Sequence, residues 1–297
     1  MSRAYHRTCT VPIASMPIVP VNDAHDSRIA EYRSVPDGVL LRDLGLFVAE
    51  GRLVVRQLLA ASRVRPRSLL LTQGALDDLG ELLGDHTPFP VYLAARSVMS
   101  DIAGFNIHRG CLGLGVRPPP TSIAELSGGP LPATTVGQAF GSPASAVSRV
   151  IVLEAVSNVD NIGGIFRSVA ALGGHAVVVG PGCGDPLYRK AIRTSMGAAL
   201  RVPFAWATAW PEALHDLQAA GFTLVGLTPE PRAELLEDVA ADLRARARVA
   251  LLLGAEGAGL SATALGCTDL RVRIPMAPGI DSINVATAAA IALYRIA

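Results

Sequence analysis

The stretch Ser157–Gly174, SNVDNIGGIFRSVAALGG, decides how this chain is read. It follows the apolar run Val150–Val156. Its own apolar residues Ile162, Ile165, Phe166 and Val169 recur at the i, i+3, i+4, i+7 spacing of a helix with one buried face. Strand then helix is the opening of a β-α-β unit, and Asp160 or Asn161 is placed to cap the helix. Gly163 and Gly164 sit in its first turns, where each costs about 0.8–1 kcal/mol relative to alanine. That cost implies close approach of a ligand or of another backbone. Arg167 falls off the apolar stripe, on the face of Gly164, Ser168 and Ala171. A capped helix with a surface arginine is the plainer reading of the same residues.

Outward from this stretch the alternation continues. Val150–Val156, Ala176–Val179, Leu200–Phe204, Phe222–Leu227, Val249–Leu253 and Leu270–Ile274 read as buried strands, with amphipathic helices between most of them and a last helix over Ile283–Tyr294. Continuous apolar strands in β-α-β order predict a parallel sheet covered on both faces, with ligands outside the carboxyl ends of its strands. Upstream, strand-like SLLLT, VYLA and CLGLGV alternate with helical Gly51–Ala61, Ala75–Leu83 and Ala95–Ala103, predicting a small α/β domain over residues 22–118. The Pro-, Gly-, Ser- and Ala-rich run over 119–148 has no apolar period and reads as a linker, leaving 149–297 as the second domain.

Bulk properties exclude several classes. Of 297 residues, 50% are hydrophobic and 17% charged, ample apolar material for two cores. No apolar run reaches the roughly 18–20 residues of a membrane span, and VPIASMPIVPV is broken by Pro12, Pro17 and Pro20, so a cytoplasmic protein without membrane contact is expected. Cys9, Cys111, Cys183 and Cys267 are scattered, predicting buried free thiols and neither a metal site nor a disulfide framework. The net charge is +1 and Lys190 is the only lysine. An arginine bias suits phosphate recognition but follows equally from genome composition.

Two further strand ends carry polar chemistry. GAEGAGLS, Gly254–Ser261, follows VALLL. It lacks the Lys-Ser/Thr of a phosphate loop, and Glu256 would repel phosphate. The carboxylate suits a ribose diol, an arginine or a cationic cofactor; otherwise the loop leads into a helix capped by Ser261. IPMAPGIDSINVATAAA, Ile274–Ala290, is irregular up to Asp281 or Ser282, where a small-residue helix is expected to start. Ser282 and Asn284 stand where its packing is tightest, which points to hydrogen-bonding roles. GPGCGDP, Gly180–Pro186, has neither the position nor the spacing of a dinucleotide fingerprint, so a nicotinamide enzyme is the weaker alternative.

In this order the three stretches resemble the SpoU (TrmH-like) RNA ribose 2′-O-methyltransferases of the SPOUT superfamily. NIGGIFR is similar to the first motif, LLLGAEGAGLS to the second, and RIPMAPGIDSINVA to the third, with Ile283 where leucine is commoner. DPLYRKAIRTSMGA, Asp185–Ala198, is similar to the segment between the first two. LFVAEGRLVVRQLL, Leu46–Leu59, and FNIHRGCLGLGVRP, Phe105–Pro118, are similar to the L30e-like RNA-binding domain that many members carry.

The resemblance implies a parallel sheet holding a deep trefoil knot, and a homodimer with its sites beside the interface. It further implies S-adenosylmethionine bound near Thr228, Gly254, Ile274 and Ile283, with no metal. It places Arg167, Asn161, Glu256, Ser282 and Asn284 in the reaction. Arg167 would stabilise the alkoxide and hold phosphate; Asn161 and Glu256 would orient Arg167 and the ribose; Ser282 and Asn284 would hold the knot loop and target nucleotide. Guanidinium stays protonated, so arginine is a poor base. RNA is the implied partner, ribosomal favoured over transfer RNA, with a basic face drawn from Arg33, Arg42, Arg63, Arg65, Arg67 and Arg109. A catalytically silent RNA-binding or assembly protein on the same fold is the alternative.

Overall fold

The computed structural model describes residues 18–33, 36–84, 87–103, 110–127 and 147–297. Arg109, Cys9, most of the expected linker and the first part of Phe105–Pro118 lie outside them. The first sheet contains β1 (Ile18–Val21), β2 (Leu46–Glu50), β3 (Arg65–Leu71), β4 (Val91–Ala94) and β5 (Cys111–Val116), in the order β1-β4-β3-β5-β2. β1, β4 and β3 run parallel, and β5 is antiparallel to both β3 and β2. Helices α1 (Asp37–Asp43), α2 (Arg52–Ala60), α3 (Gln73–Leu83) and α4 (Arg96–Ala103) connect them. The sheet starts at Ile18, four residues before the expected boundary at 22, because Ile18–Val21 pairs with Val91–Ala94.

The expected linker opens with structure that belongs to the second sheet. Thr121 bridges to Ala205, and α5 (Ile123–Ser127) buries Leu126 in that sheet's core. The second sheet is wholly parallel, in the order β10-β12-β9-β11-β6-β7-β8. Its strands are β6 (Ser148–Leu153), β7 (Ala176–Val179), β8 (Phe204–Trp206), β9 (Thr223–Leu227), β10 (Glu234–Leu235), β11 (Arg248–Leu253) and β12 (Leu270–Arg273). The intervening helices are α6 (Val159–Ala171), α7 (Arg189–Thr194), α8 (Glu212–Ala219), α9 (Leu236–Ala245), α10 (Ala262–Gly266) and α11 (Val285–Ile296).

Alternation along the strands sorts the core into two layers. Ile151, Leu153, Val177, Val179, Leu251 and Leu253 face α6, α9 and α11; Val150, Val152, Val178, Ala250 and Leu252 face α5, α8 and α10. The first layer continues into the N-terminal domain through Val54, Val55 and Leu58 of α2. Across the seam Asp37 Oδ2 accepts the Arg189 N–H at 2.8 Å, and Arg117 pairs with Asp185 at 3.0 Å. Burial raises the Asp185 pKa from its usual value, against the opposing pull of Arg117.

Leu200–Phe204 departs from its expected strand. Gly197, at φ 82°, sends the chain into a short 3-10 turn over Ala198–Leu200, and pairing starts only at Phe204, after Pro203. Among the described residues Cys111, Cys183 and Cys267 are free thiols, Cys111 buried and the other two half-buried, and no group of His, Cys, Asp and Glu could hold a metal. No described helix is long and apolar enough to cross a membrane.

Candidate functional site

Because the second sheet is parallel, the residues that follow β6, β9, β11 and β12 emerge at one edge. Glu154, Thr228, Gly254 and Ile274 are the first residues beyond these strands. Each of the three chemically marked stretches therefore starts or ends on that edge.

The glycines of α6 are explained by packing. A Cβ on Gly163 would overlap Thr194 Oγ1 and lie 2.7 Å from the Ala191 carbonyl of α7; one on Gly164 would lie 3.0 Å from the Ala286 Cβ of α11. The close approach is by neighbouring elements on both sides. Ile162, Ile165, Phe166 and Val169 are buried as the stripe requires. The cap is Asn158, whose side chain accepts from the Asp160 N–H, so neither Asp160 nor Asn161 fills that role. Asp160 instead pairs with Lys190 of α7 at 2.6 Å. Asn161 lies inside the first turn and is only 6% exposed.

Its carboxamide is the hub of the site. Asn161 Nδ2 donates to Glu256 Oε1 at 2.7 Å, and Asn284 Nδ2 donates to Asn161 Oδ1 at 2.8 Å and to Glu256 Oε1 at 3.3 Å. Three residues from three separate stretches thus close one polar triangle. Asn284 also caps α11, its Oδ1 accepting from the Ala286 and Thr287 N–H groups at 3.0 and 3.3 Å. The last helix therefore starts after Asn284, later than the expected Asp281 or Ser282. Glu256 is exposed, and among the described residues its Oε2 takes no hydrogen bond. One carboxylate oxygen is fixed by the fold and the other is without a hydrogen bond among the described residues.

The loop carrying Glu256 is held at both ends. Ala255 and Gly259 exchange backbone hydrogen bonds of 3.1 and 2.9 Å, and a Cβ on Gly254 would overlap the Gly259 carbonyl. Gly257 and Gly259 supply the positive φ angles of 84° and 69° that this tight return needs. At the far end Glu154, 7% exposed, accepts from Ser261 N at 2.8 Å, Ser261 Oγ at 2.7 Å and Trp210 Nε1 at 2.9 Å. Ser261 Oγ also caps α10 through the Ala264 N–H at 3.1 Å. Glu154 was invisible to sequence reasoning because its partners lie 56 and 107 residues away. A carboxylate ending an otherwise apolar strand was the available signal.

The remaining expected residues are placed differently. Thr228 donates its backbone N–H to Val272 O at 3.0 Å, tying β9 to β12, and its Oγ1 accepts from the Glu230 N–H at 3.3 Å. Ile274 and Ile283 are half-buried and Ser282 is exposed in the irregular segment before α11; Ser282 makes no hydrogen bond among the described residues. Arg167 is not joined to the triangle. It lies six residues beyond Asn161, about 9 Å along α6. It is exposed and, among the described residues, has no hydrogen bond or ion pair.

Comparison with known proteins fits this architecture. Residues 148–294 match the SpoU rRNA Methylase family. An uncharacterized tRNA/rRNA methyltransferase of Mycobacterium tuberculosis is 42% identical over 280 residues, covering 93% of this chain and 90% of that one. Two solved structures share the fold. An AdoMet-bound rRNA methyltransferase from Sinorhizobium meliloti has a TM-score of 0.74 at 20% identity, over 94% of this chain and 97% of its own. An RNA 2′-O ribose methyltransferase has a TM-score of 0.69 at 23% identity, over 94% and 98%. With whole-length similarity to a tRNA/rRNA methyltransferase and the motif-bearing sheet inside the family match, the chain belongs to the SpoU family of RNA methyltransferases.

Proposed function

We propose that the protein transfers the methyl group of S-adenosylmethionine to a ribose 2′-hydroxyl of RNA, acting as a homodimer. The carrying observation is the Asn161–Glu256–Asn284 triangle at the carboxyl edge of the parallel sheet, beside the ends of β9, β11 and β12. Thr228, Gly254, Ile274 and Ile283 lie on the loops leaving that edge and would hold the cofactor, largely through backbone. When bound, the sulfonium supplies an electrophilic methyl group. The second oxygen of the Glu256 carboxylate suits a ribose hydroxyl or the cation.

Arg167 then binds the phosphate of the target nucleotide and stabilises the developing alkoxide, the proton leaving to phosphate or water, since guanidinium cannot accept it. Ser282 and Asn284 position the loop before α11. Positioning of this kind supplies roughly 7–11 kcal/mol of a barrier. The strand order supports the knot implied by the resemblance, because β11 and β12 both insert between strands laid down earlier in the chain. Exposed Ile291 and Tyr294 of α11, the latter 71% exposed, and Ile280 in the loop before it offer apolar surface for a second copy. The first sheet acts as the L30e-like RNA-reading domain, which favours a folded ribosomal target over transfer RNA.

Incubating the protein with methyl-labelled S-adenosylmethionine and bacterial RNA tests this function. Label recovered as 2′-O-methylnucleoside in ribosomal RNA is expected. Label on a base, or none on RNA despite cofactor binding, contradicts it.

A further inference from the structure

The two domains meet along a seam that leaves a cavity of about 200 Å³, walled by Arg63 of the first domain, Arg117 and Pro118–Pro120 of the connecting run, and Phe204 and Trp206 of β8. Arg63 was one of the arginines expected to form a basic face. Arg33 and Arg42 of that group are engaged with local carbonyls, Arg33 with Ala24 and Asp26 and Arg42 with Gly38. Arg63 is different. It is partly withdrawn from water, and burial pulls its pKa below the ordinary arginine value.

Its one hydrogen bond among the described residues runs from Nη2 to Thr121 Oγ1 at 3.2 Å, and no described carboxylate pairs with it. Arg117, in the same wall, is already matched by Asp185 at 3.0 Å. Of the two guanidiniums that line the cavity, Arg63 therefore has only a hydroxyl for a partner among the described residues, which favours an anion there. The rest of the lining is largely apolar, with Phe204 and Trp206 as its aromatic side chains. A guanidinium for phosphate beside an aromatic plane for a base is how proteins hold unpaired nucleotides. Trp206 also ends β8 on the same sheet edge as the Asn161 triangle, three strand spacings from β11, about 14 Å away.

We propose that this cleft binds one unpaired ribonucleotide of the RNA substrate, its base against Trp206 and its phosphate on Arg63, as an anchoring subsite away from the reacting ribose. The proposal rests on the RNA methyltransferase function above. Of the two tryptophans, Trp206 and Trp210, Trp206 lines the cleft and Trp210 does not, so the part of the indole fluorescence that Trp206→Phe removes reports the cleft.

Titration with an unstructured decauridylate and, separately, with uridine 5′-monophosphate provides the test. Quenching by the decamer is expected, with Trp206→Phe abolishing the quench. Arg63→Gln is expected to weaken decamer binding about tenfold and lower the salt slope by about 0.7. Melting temperature and S-adenosylmethionine affinity should be unchanged in both variants; should Arg63→Gln lose stability, Trp206→Phe decides. Equal quenching by the mononucleotide assigns the cleft to a free nucleotide and overturns the anchoring role. Decamer binding seen by anisotropy, with no quench and no effect of either variant, overturns the subsite while methyl transfer to RNA still stands. Failure of the enzyme function shows separately, as RNA that acquires no label.

Discussion

The second sheet has two ends that handle an arginine in opposite ways. At the amino end Arg149, next to the start of β6, is 3% exposed. Its guanidinium donates to the carbonyls of Leu243, Arg244, Arg246 and Ile296 at 3.2, 3.0, 3.0 and 2.9 Å. These oxygens close the C-termini of α9 and α11, where carbonyls lack intrahelical partners and the helix dipole is negative. At the carboxyl end Arg167 is exposed and has no partner among the described residues. The pair teaches how to tell a structural cation from a reserved one. Arg149 holds two helix ends on the sheet with its hydrogen bonds filled from within, whereas Arg167 has its donors unengaged among the described residues, as the proposed role in the reaction requires.

The comparison breaks most forcibly at Arg149. Arg149→Met removes the side chain that holds those helix-end carbonyls among the described residues, and a loss of about 3–5 kcal/mol in denaturant unfolding is expected. Gly163→Ala tests whether α6 is pressed on α7 as closely as the geometry requires. Overlap with Thr194 Oγ1 and the Ala191 carbonyl should lower stability by about 1–3 kcal/mol. Gly164→Ala, with only the Ala286 Cβ at 3.0 Å, should lower it less.

Glu154→Gln weakens the charge-assisted bonds to Ser261 and Trp210, and about 1–2 kcal/mol is expected, with looser cofactor binding because the Glu256 loop loses its tether. The smallest effect is in pH. His175 Nδ1 accepts the Arg149 N–H at 3.0 Å, and burial, then the Arg149 charge, hold its pKa below 6.5. A depressed folded pKa means stability that is full above about 6.5 and declines as pH falls, because the unfolded chain takes the proton first. His175→Gln should flatten that decline.

Much of this was legible in the sequence for a local reason. The α6 stripe, the parallel strand ends and the polar character of Asn161, Glu256 and Asn284 follow from spacing and residue type within short windows. The caps were displaced because Asn158, Asp160 and Asn161, or Asp281, Ser282 and Asn284, are equally able acceptors. Which one is used depends on where the chain leaves its neighbour. The glycine cost in α6 was visible, but its cause sat in α7 and α11. Arg149 was illegible for the same reason, its carbonyl partners lying 94–147 residues away. β1 and β2 were not read as strands, and β10 is two residues long, too short for any pattern.

The most direct test compares methyl transfer by wild type and Arg167→Ala in a single turnover at saturating S-adenosylmethionine, with melting temperature and cofactor affinity measured alongside. A loss of about 10²–10³ in rate is expected, the scale on which one donor to a developing oxyanion acts, with melting and cofactor binding unchanged. Near-normal transfer by the variant, or a rate that falls only in step with stability, would contradict a guanidinium reserved for the reaction.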